Sequence, residues 1–375
     1  MHTTQAVRSL DCGPLVVQEL VDYCIDFLHA SPPDLKACAI VNRSWTHSAQ
    51  IHLFNHIVIG APGYTYGDKT CLATTRRRCR RLWELLNASR RHIEWIKSIQ
   101  IHLDSTPPDT FTLFADLTFT HLRRVSVSGN WVEGTGVQTV QELLSVPTLT
   151  AISISGNFMS LSLFAHVLER CCANINDVSF CNIKISPAQN SLVDVGSSDR
   201  RITIDSLDLW WSDNIHDWLN SPQCPFNFSN LRRLRLNENT SLPNWDAFVA
   251  SVPRVEYLQF QPLTTDLGLS KIDLASFTNL KCIEIFVEYK VDLSKTFAIL
   301  STMARPNHIQ TIRFRFPHPS VLDADSGAKF DQQVLALPMP HLAAVELVYL
   351  EPTATYIADN FPRLNARRLL RIYHG

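Results

Sequence analysis

The chain is predicted to be an α/β protein whose larger part is a solenoid of stacked strand–helix repeats. Three observations predict this class. A short alternating apolar pattern recurs at spacings of 24 to 33 residues, helical patterns fall between its copies, and a different, purely helical pattern occupies the first sixty residues. Because a single repeat of this length cannot bury its own apolar side chains, successive repeats are expected to stack around one continuous core.

The repeat is clearest in two segments that are 27 residues apart. Val125–Asn130 (VSVSGN) returns as Ile152–Asn157 (ISISGN), and each copy follows a leucine three residues upstream. The frame is Leu-x-x-Leu-x-Leu-x-x-Asn, as in leucine-rich repeats, and its first position occurs ten times, at Ile96, Leu122, Leu149, Ile175, Ile204, Leu231, Val255, Leu280, Ile309 and Leu342. An eleventh copy would begin at Leu364, but Arg367 stands in a slot that should be buried.

The spacing inside each copy predicts a strand, and the spacing between copies predicts a helix. The x-Leu-x-Leu core alternates with period two, which indicates a short strand with one buried face. Stripes such as Val140, Leu143 and Leu144 follow the helical period. Strand–helix–strand connections within one sheet predict parallel strands, here on a concave face with helices and turns on the convex face. Since the frame's asparagine occurs at 130, 157 and 239 but not in every copy, the stack is expected to be irregular.

Composition limits the possible functions. The chain has 375 residues, 45% apolar and 18% charged, with a net charge of −1. This balance argues against disorder and against steering toward nucleic acid or an anionic membrane. No apolar run is long enough for a membrane span, and the N-terminus has no secretory pattern, so we expect an intracellular protein of the cytoplasm, the nucleus or both. The ten scattered cysteines are expected to be free thiols.

Three short helices are predicted before the repeats. Leu15–Leu28 carries a broad apolar stripe, Asp34 is the predicted N-cap of a second helix, Leu35–Val41, and Ser44 is the predicted N-cap of a third. A unit of about 40 residues has a core that is too small to make it stable on its own. We therefore expect it to dock on another protein or to seal the solenoid as a cap.

The pattern Leu-x-x-Cys-x-x-Val-x-x-x-Trp, formed by Leu35, Cys38, Val41 and Trp45, resembles an F-box. The similarity covers roughly residues 14 to 58 and is to the divergent F-box proteins with leucine-rich repeats found in fungi. It implies docking on the Skp adaptor of a cullin-based ubiquitin ligase while the repeats bind a protein substrate. The implied adaptor-binding residues are Val16, Val17, Glu19, Leu20, Val21, Ile25, Leu35, Cys38, Val41 and Trp45. Val16-Val17 stands where that family usually has Leu-Pro.

The sequence divides into an F-box-like helical domain (1–59), a connector with a capping helix (60–95) and a solenoid of about ten repeats (96–375). Gly60–Thr74 is predicted to be a loop. The basic run Arg76–Arg81 has two interpretations. It is either an amphipathic helix with an arginine face that covers the first coil, or a nuclear localisation or phosphate-binding signal.

No catalytic or cofactor motif was found, so we expect a non-catalytic protein without metal or cofactor. Asp323–Gly327 resembles half of a calcium loop, but the bidentate glutamate of that motif is replaced by Val334. We interpret the segment as an inserted loop. His52 and His56 are four residues apart but have no evident third ligand, so we do not interpret them as a zinc site.

Alternation along each strand predicts which side chains face a partner. The predicted substrate-binding residues on the concave face are Trp210, Arg233, Arg235, Tyr257, Gln259, Glu284, Phe286, Arg313 and Arg315. Trp, Tyr and Arg dominate interface energetics, and an arginine set suits an acidic or phosphorylated segment. The alternative for this surface is a solvated face with ordinary charges. The alternatives for the function of the protein are a leucine-rich-repeat scaffold unconnected with ubiquitin ligases and a regulator of a small GTPase.

Overall fold

The structure of the protein is a computed structural model. It describes residues 14–60, 69–106, 108–131, 136–186, 201–212, 215–237, 245–261, 273–287, 293–303, 307–316, 324–349 and 357–374. The chain divides into two compact units, residues 1–125 and 126–375. Mixed helices and parallel strands define the predicted α/β class.

Unit one is mostly helical. Its elements are α1 (Pro14–Asp26), α2 (Pro32–Val41), α3 (Arg43–Asn55), β1 (His56–Ile59), α4 (Lys69–Ala88), α5 (Arg90–Trp95), β2 (Ser98–His102) and α6 (Pro108–Phe111). Strand β1 pairs with β2 in parallel, with His56 opposite Ser98. The three predicted N-terminal helices are therefore present.

Two of the predicted helix starts are wrong, by three residues for α2 and by two residues for α3. Helix α2 begins at Pro32, because proline is favoured in the first helical turn and Ser31 precedes it as the N-cap. Asp34 lies inside the first turn, where its carboxylate accepts a hydrogen bond from Ser31 Oγ at 2.6 Å. Helix α3 is capped by Asn42, whose Oδ1 accepts from the backbone N–H of Ser44 at 3.0 Å.

The first three helices share a small apolar core. Val21 and Ile25 of α1 pack with Leu35 and Cys38 of α2 and with Ala49 of α3. Partly buried side chains close the rim of this core, namely Leu28, Ala39, Trp45 and Leu53. The apolar stripe of α1 thus faces its helical neighbours, as amphipathic helices do.

Helix α4 is amphipathic, as the first interpretation of the basic run predicts. Thr75, Cys79 and Leu86 are buried on one side, and Arg77, Arg78, Arg80 and Arg81 are exposed. The predicted loop is too long at its C-terminal end, since the helix already begins at Lys69. Residues 61–68 of that loop lie outside the described residues.

Unit two alternates strands and helices along the chain. Its elements are β3 (Arg124–Trp131, which begins at the unit boundary), α7 (Val137–Leu144), β4 (Ala151–Phe158), α8 (Leu161–Leu168), β5 (Asp177–Ile185), β6 (Ile202–Thr203), β7 (Ser206–Leu209), α9 (His216–Leu219), β8 (Phe226–Asn227), β9 (Arg233–Asn237), α10 (Trp245–Ser251), β10 (Tyr257–Gln261), β11 (Cys282–Phe286), α11 (Leu293–Ser301), β12 (Thr311–Phe316), α12 (Ala324–Ala336), β13 (Ala344–Tyr349), α13 (Pro362–Ala366) and β14 (Leu370–His374).

The strands of unit two follow chain order across one sheet, in the order β3-β4-β5-β7-β9-β10-β11-β12-β13-β14, and β6 pairs separately with β8. From β4 to β14, every neighbouring pair is parallel. This is the arrangement that a solenoid-like repeat predicts, because each coil adds one strand beside the previous one.

The repeat frame marks the core. Nine of the ten predicted first positions are buried, and Leu342 is partly buried. The two following apolar slots face the same way, as in Leu234 and Leu236 or Ile312 and Phe314. One apolar column per slot therefore runs through unit two, which is how repeats without individual cores become stable.

The Ser-Gly-Asn part of the frame joins neighbouring coils. Asn157 Nδ2 donates to Asn130 Oδ1 at 2.7 Å, which links the side chains of two successive coils. Asn239 lies outside the described residues. Gly156 has φ +117, and a Cβ built there would lie 1.9 Å from the carbonyl oxygen of Gly129 in the preceding coil.

Two expectations for the C-terminal repeats are wrong, one about the start of the eleventh copy and one about the inserted segment. Strand β14 forms an eleventh copy, but Ile372 pairs with Leu347, which puts the first slot at Arg367 and not at Leu364. Among the described strands, β14 lies at the edge of the sheet, and Arg367 in that slot is exposed. The inserted segment near Asp323–Gly327 is largely helical, because α12 begins at Ala324.

Candidate functional site

Helices α1 and α2 expose several large apolar side chains. Leu20 and Tyr23 are on one side of α1 and are 61% and 63% exposed, and Phe27, in the turn directly after α1, is 69% exposed. On α2, Ile40 is 85% exposed and Val41 73%. The rings of Tyr23 and Phe27 meet edge to face at 4.9 Å, which orders them without burying them.

The structure separates the implied adaptor-binding residues into two groups. Glu19, Leu20 and Val41 are exposed and free to contact a partner. Val21, Ile25, Leu35 and Cys38 are buried in the three-helix core, and Trp45 packs against it. These five residues contribute to the packing of the three helices, because such a small unit needs its apolar stripe for its own core. Nothing is described of the side chains of Val16 and Val17.

One register position of the sheet in unit two carries a row of polar side chains. In order across the strands, this polar row is Asp208, Arg235, Gln259, Glu284, Arg313, Glu346 and Arg371. Each residue lies between two apolar slots of its strand, which are buried in every strand except β14, where they are partly buried. Its side chain is therefore on the opposite face of the sheet from the core. We call this side the polar face.

Glu284 is the centre of the polar row. Its side chain is 1% exposed, and both carboxylate oxygens are occupied. Oε2 accepts from Tyr257 Oη at 2.7 Å and from Arg313 Nη1 at 2.9 Å. Oε1 accepts from Arg315 Nη2 at 3.0 Å. A buried carboxylate is tolerated only with such partners, so Glu284 fixes the positions of two arginines.

A second buried carboxylate lies two strands further along the row. Glu346 binds Arg313 through Nε and Nη2, at 2.8 and 2.7 Å, and Arg371 Nη1 lies 3.6 Å away. Burial by itself lowers the pKa of Arg313, but its hydrogen bonds to Glu346 and Glu284 outweigh this and raise that pKa above the ordinary value. Arg313 is therefore a permanently charged bridge between two carboxylates.

Asp208 and Arg235 form the other end of the polar row. Arg235 Nη1 donates to Asp208 Oδ2 at 2.9 Å. The guanidinium also lies over the ring of Trp210, 5.6 Å from its centroid, and Trp210 meets Phe286 edge to face at 6.3 Å. Burial raises the pKa of the Asp208 carboxyl, and Arg235 opposes that rise.

Two predicted partner-facing residues are buried. Gln259 and Glu284 are 5% and 1% exposed, so the expectation that both are exposed is wrong. Long neighbouring side chains cover them, since the arginines and Tyr257 reach across adjacent strands. Burial, followed by the hydrogen bond to Glu284, raises the pKa of Tyr257 far above its usual range. Trp210, Arg233, Arg235, Phe286, Arg313 and Arg315 keep accessible surface.

The predicted substrate-binding residues did not include Asp208, Glu346 or Arg371. A signal for them existed. They stand four residues after the first slot of their copies, as do Arg235, Gln259, Glu284 and Arg313. Aligning the repeats on that slot would have revealed a column of alternating charge.

The described residues show no metal-binding group. No cluster of three or more His, Cys, Asp or Glu side chains with metal-binding geometry occurs among them. His52 Nε2 lies 2.8 Å from Asp26 Oδ1, and His56 Nδ1 lies 3.0 Å from Ser98 Oγ. The eight cysteines whose side chains are described are all free. Within the same part of the chain, no helix is both long and apolar enough to cross a membrane.

Comparison with known proteins adds little to this description. No protein-family model matches the chain, and a search of curated protein sequences finds no match. Among solved structures, the chain is similar to a chain in the crystal structure of the yeast Rad7 and Elc1 complex. The identity is 12%, with 98% of each chain covered and a TM-score of 0.33. A similarity at this level carries no argument about function.

Proposed function

We propose that the protein is a non-catalytic substrate-recognition subunit of a Skp–cullin–F-box ubiquitin ligase in the cytoplasm, the nucleus or both. In this role, the exposed apolar side chains of α1 and α2 bind a Skp-type adaptor, and a cullin joins through that adaptor. The polar face of unit two binds the protein substrate. The protein contributes binding and no chemistry.

The observation that carries the proposal is the concentration of exposed apolar side chains on two helices. Ten large hydrophobic side chains are exposed in the described part of the chain, and five of them lie within residues 20–41. Scattered single cases need no explanation, but such a concentration is typical of a protein-binding surface. The F-box resemblance of the same segment names the kind of partner.

The polar face suits the substrate because it combines aromatic and arginine side chains on a rigid support. The parallel ladder holds Phe286 and the arginines in fixed register, and Trp210 directly follows β7 in another repeat. Residue types of this kind supply most of the binding energy in protein interfaces. A scaffold unconnected with ubiquitin ligases would use the same face but would not bind the adaptor.

Adaptor binding is tested by co-expressing the full chain with a Skp-type adaptor. We expect the two to co-purify in a one-to-one ratio. The substitution Leu20→Asp places a charge on the exposed side of α1, so adaptor retention should fall at least tenfold, a loss of about 1.4 kcal/mol or more. The measurement is the adaptor-to-chain ratio after size-exclusion chromatography.

Leu85→Asp is the matched control, since Leu85 is 43% exposed on α4 of the same unit. It should leave both the adaptor ratio and the thermal unfolding midpoint unchanged. A wild-type chain that retains no adaptor would exclude the ligase role and favour the scaffold. Equal losses with both variants would show a general effect of the added charge.

A further inference from the structure

The accessible layer of the polar face is cationic. Arg233 is exposed, and the side chains of Arg235, Arg313, Arg315 and Arg371 are 44%, 33%, 35% and 56% exposed. The carboxylates of Asp208, Glu284 and Glu346 on the same face are buried, and that of Asp177, at the register position of Arg233, is partly buried. Five arginines against four carboxylates leave a net charge of +1, and guanidinium groups outnumber carboxylates on the accessible surface.

The buried carboxylates prepare these arginines for binding. Glu284 holds Arg313 and Arg315, and Asp208 holds Arg235. Each guanidinium has five N–H groups, and each carboxylate uses only one or two of them, so donors remain for a ligand. An arginine that is already oriented loses little conformational entropy on binding, which favours affinity.

The spacing of the exposed arginines indicates the shape of the ligand. Arg235, Arg313 and Arg371 occupy the same register position on β9, β12 and β14. With strands about 4.8 Å apart, these positions are separated by roughly 14 Å and 10 Å. An extended peptide advances about 3.3 Å per residue, so it would cover those gaps in about four and three residues.

We propose that the polar face binds an extended, acidic peptide segment of about eight residues, with carboxylates three to four residues apart. The proposal rests on the proposed function, in which this segment belongs to the substrate. Charges distributed along a chain match the separated arginines better than one concentrated phosphate does. Trp210 and Phe286 supply apolar contact area beside Arg235.

The test measures peptide binding to the full chain by fluorescence anisotropy. The probe is a labelled ten-residue Gly/Ser peptide with Glu at its second, sixth and ninth positions. We expect it to bind, with a dissociation constant that rises as salt is added, because salt screens the ion pairs. The same peptide with Gln at the three positions should bind at least tenfold more weakly.

Two protein variants locate the site. The double variant Arg233→Glu/Arg371→Glu changes exposed arginines and should weaken binding of the Glu peptide at least tenfold. Arg170→Glu alters an exposed arginine that follows α8, away from the polar face, and should change binding less than twofold. Circular dichroism and the thermal midpoint identify a variant that fails to fold. If the double variant fails to fold, the single variant Arg371→Gln must weaken binding of the Glu peptide at least threefold.

Several outcomes would overturn the inference. Equal binding of the Glu and Gln peptides, or unchanged binding by the folded double variant, would mean that this is an ordinary solvated face. Tighter binding of a peptide with one phosphoserine, or of an oligothymidylate, would replace the proposed ligand class. If the adaptor is retained but the Glu peptide is not bound, this inference fails and the ligase role stands. If the peptide binds without adaptor retention, the ligase role fails.

Discussion

Replacing Gly156 by alanine is expected to destabilise unit two by about 4 kcal/mol. Backbone strain at positive φ contributes roughly 1–2 kcal/mol, and overpacking against the preceding coil contributes the rest. The new Cβ would lie 1.9 Å from the carbonyl oxygen of Gly129 and 2.8 Å from its carbonyl carbon. Both atoms belong to the backbone of the preceding coil, so no side chain can rotate away. The measurement is the free energy of unfolding in urea.

Ser153→Ala is the matched control, because Ser153 lies on the same strand as Gly156, with its side chain on the partly exposed face. Surface substitutions of this kind usually change stability by less than about 0.5 kcal/mol. If Gly156→Ala unfolds at the same urea concentration as the wild type, β3 and β4 do not approach each other as closely as described.

Replacing Glu284 by alanine is expected to lower the free energy of unfolding by about 3 kcal/mol. This is at the low end of the range for breaking a buried ion pair, because Arg313 and Arg315 keep some access to water. The substitution removes the acceptor shared by Tyr257, Arg313 and Arg315. Arg313 retains Glu346, whereas Arg315 loses a carboxylate partner. A lower urea midpoint would check this expectation.

Glu256→Ala is the control for Glu284→Ala, since Glu256 makes an exposed ion pair with Lys281 at 3.0 Å. Exposed ion pairs contribute little to stability, so the urea midpoint should stay at the wild-type value. The same midpoint for both variants would mean that the partners of Glu284 exchange freely with water and do not support the polar row.

The repeat frame predicts most of the architecture because it is periodic. Each first slot, from Ile96 to Ile309, is buried, since a wrong residue there would leave a cavity between two coils. Helix ends were less predictable. Asp34 and Ser44 are both good capping residues, but the helices begin after Ser31 and Asn42, because proline is favoured in the first turn of α2 and Asn42 accepts from the backbone N–H of Ser44.

The surface residues were predicted only in part, because alternation assigns a side of the sheet and not a degree of burial. Arg313 and Glu284 are both on the polar face as predicted, yet Glu284 is buried beneath its neighbours. On α1, the apolar stripe could not be divided by sequence into core and surface. The structure places Val21 and Ile25 inside and Leu20 and Tyr23 outside.

By itself, the amino-acid sequence determined the fold class, the order of strands and helices, and the side of the sheet on which each residue lies. These follow from local periodicity, since burial of one apolar column recurs in every repeat. Only the tertiary structure decided that three carboxylates are buried beneath the arginines and that position 156 has no room for a side chain. Both features arise from contacts between neighbouring strands, whose residues are about 27 positions apart in the sequence. Local periodicity does not specify how closely such residues approach or which hydrogen bonds they form.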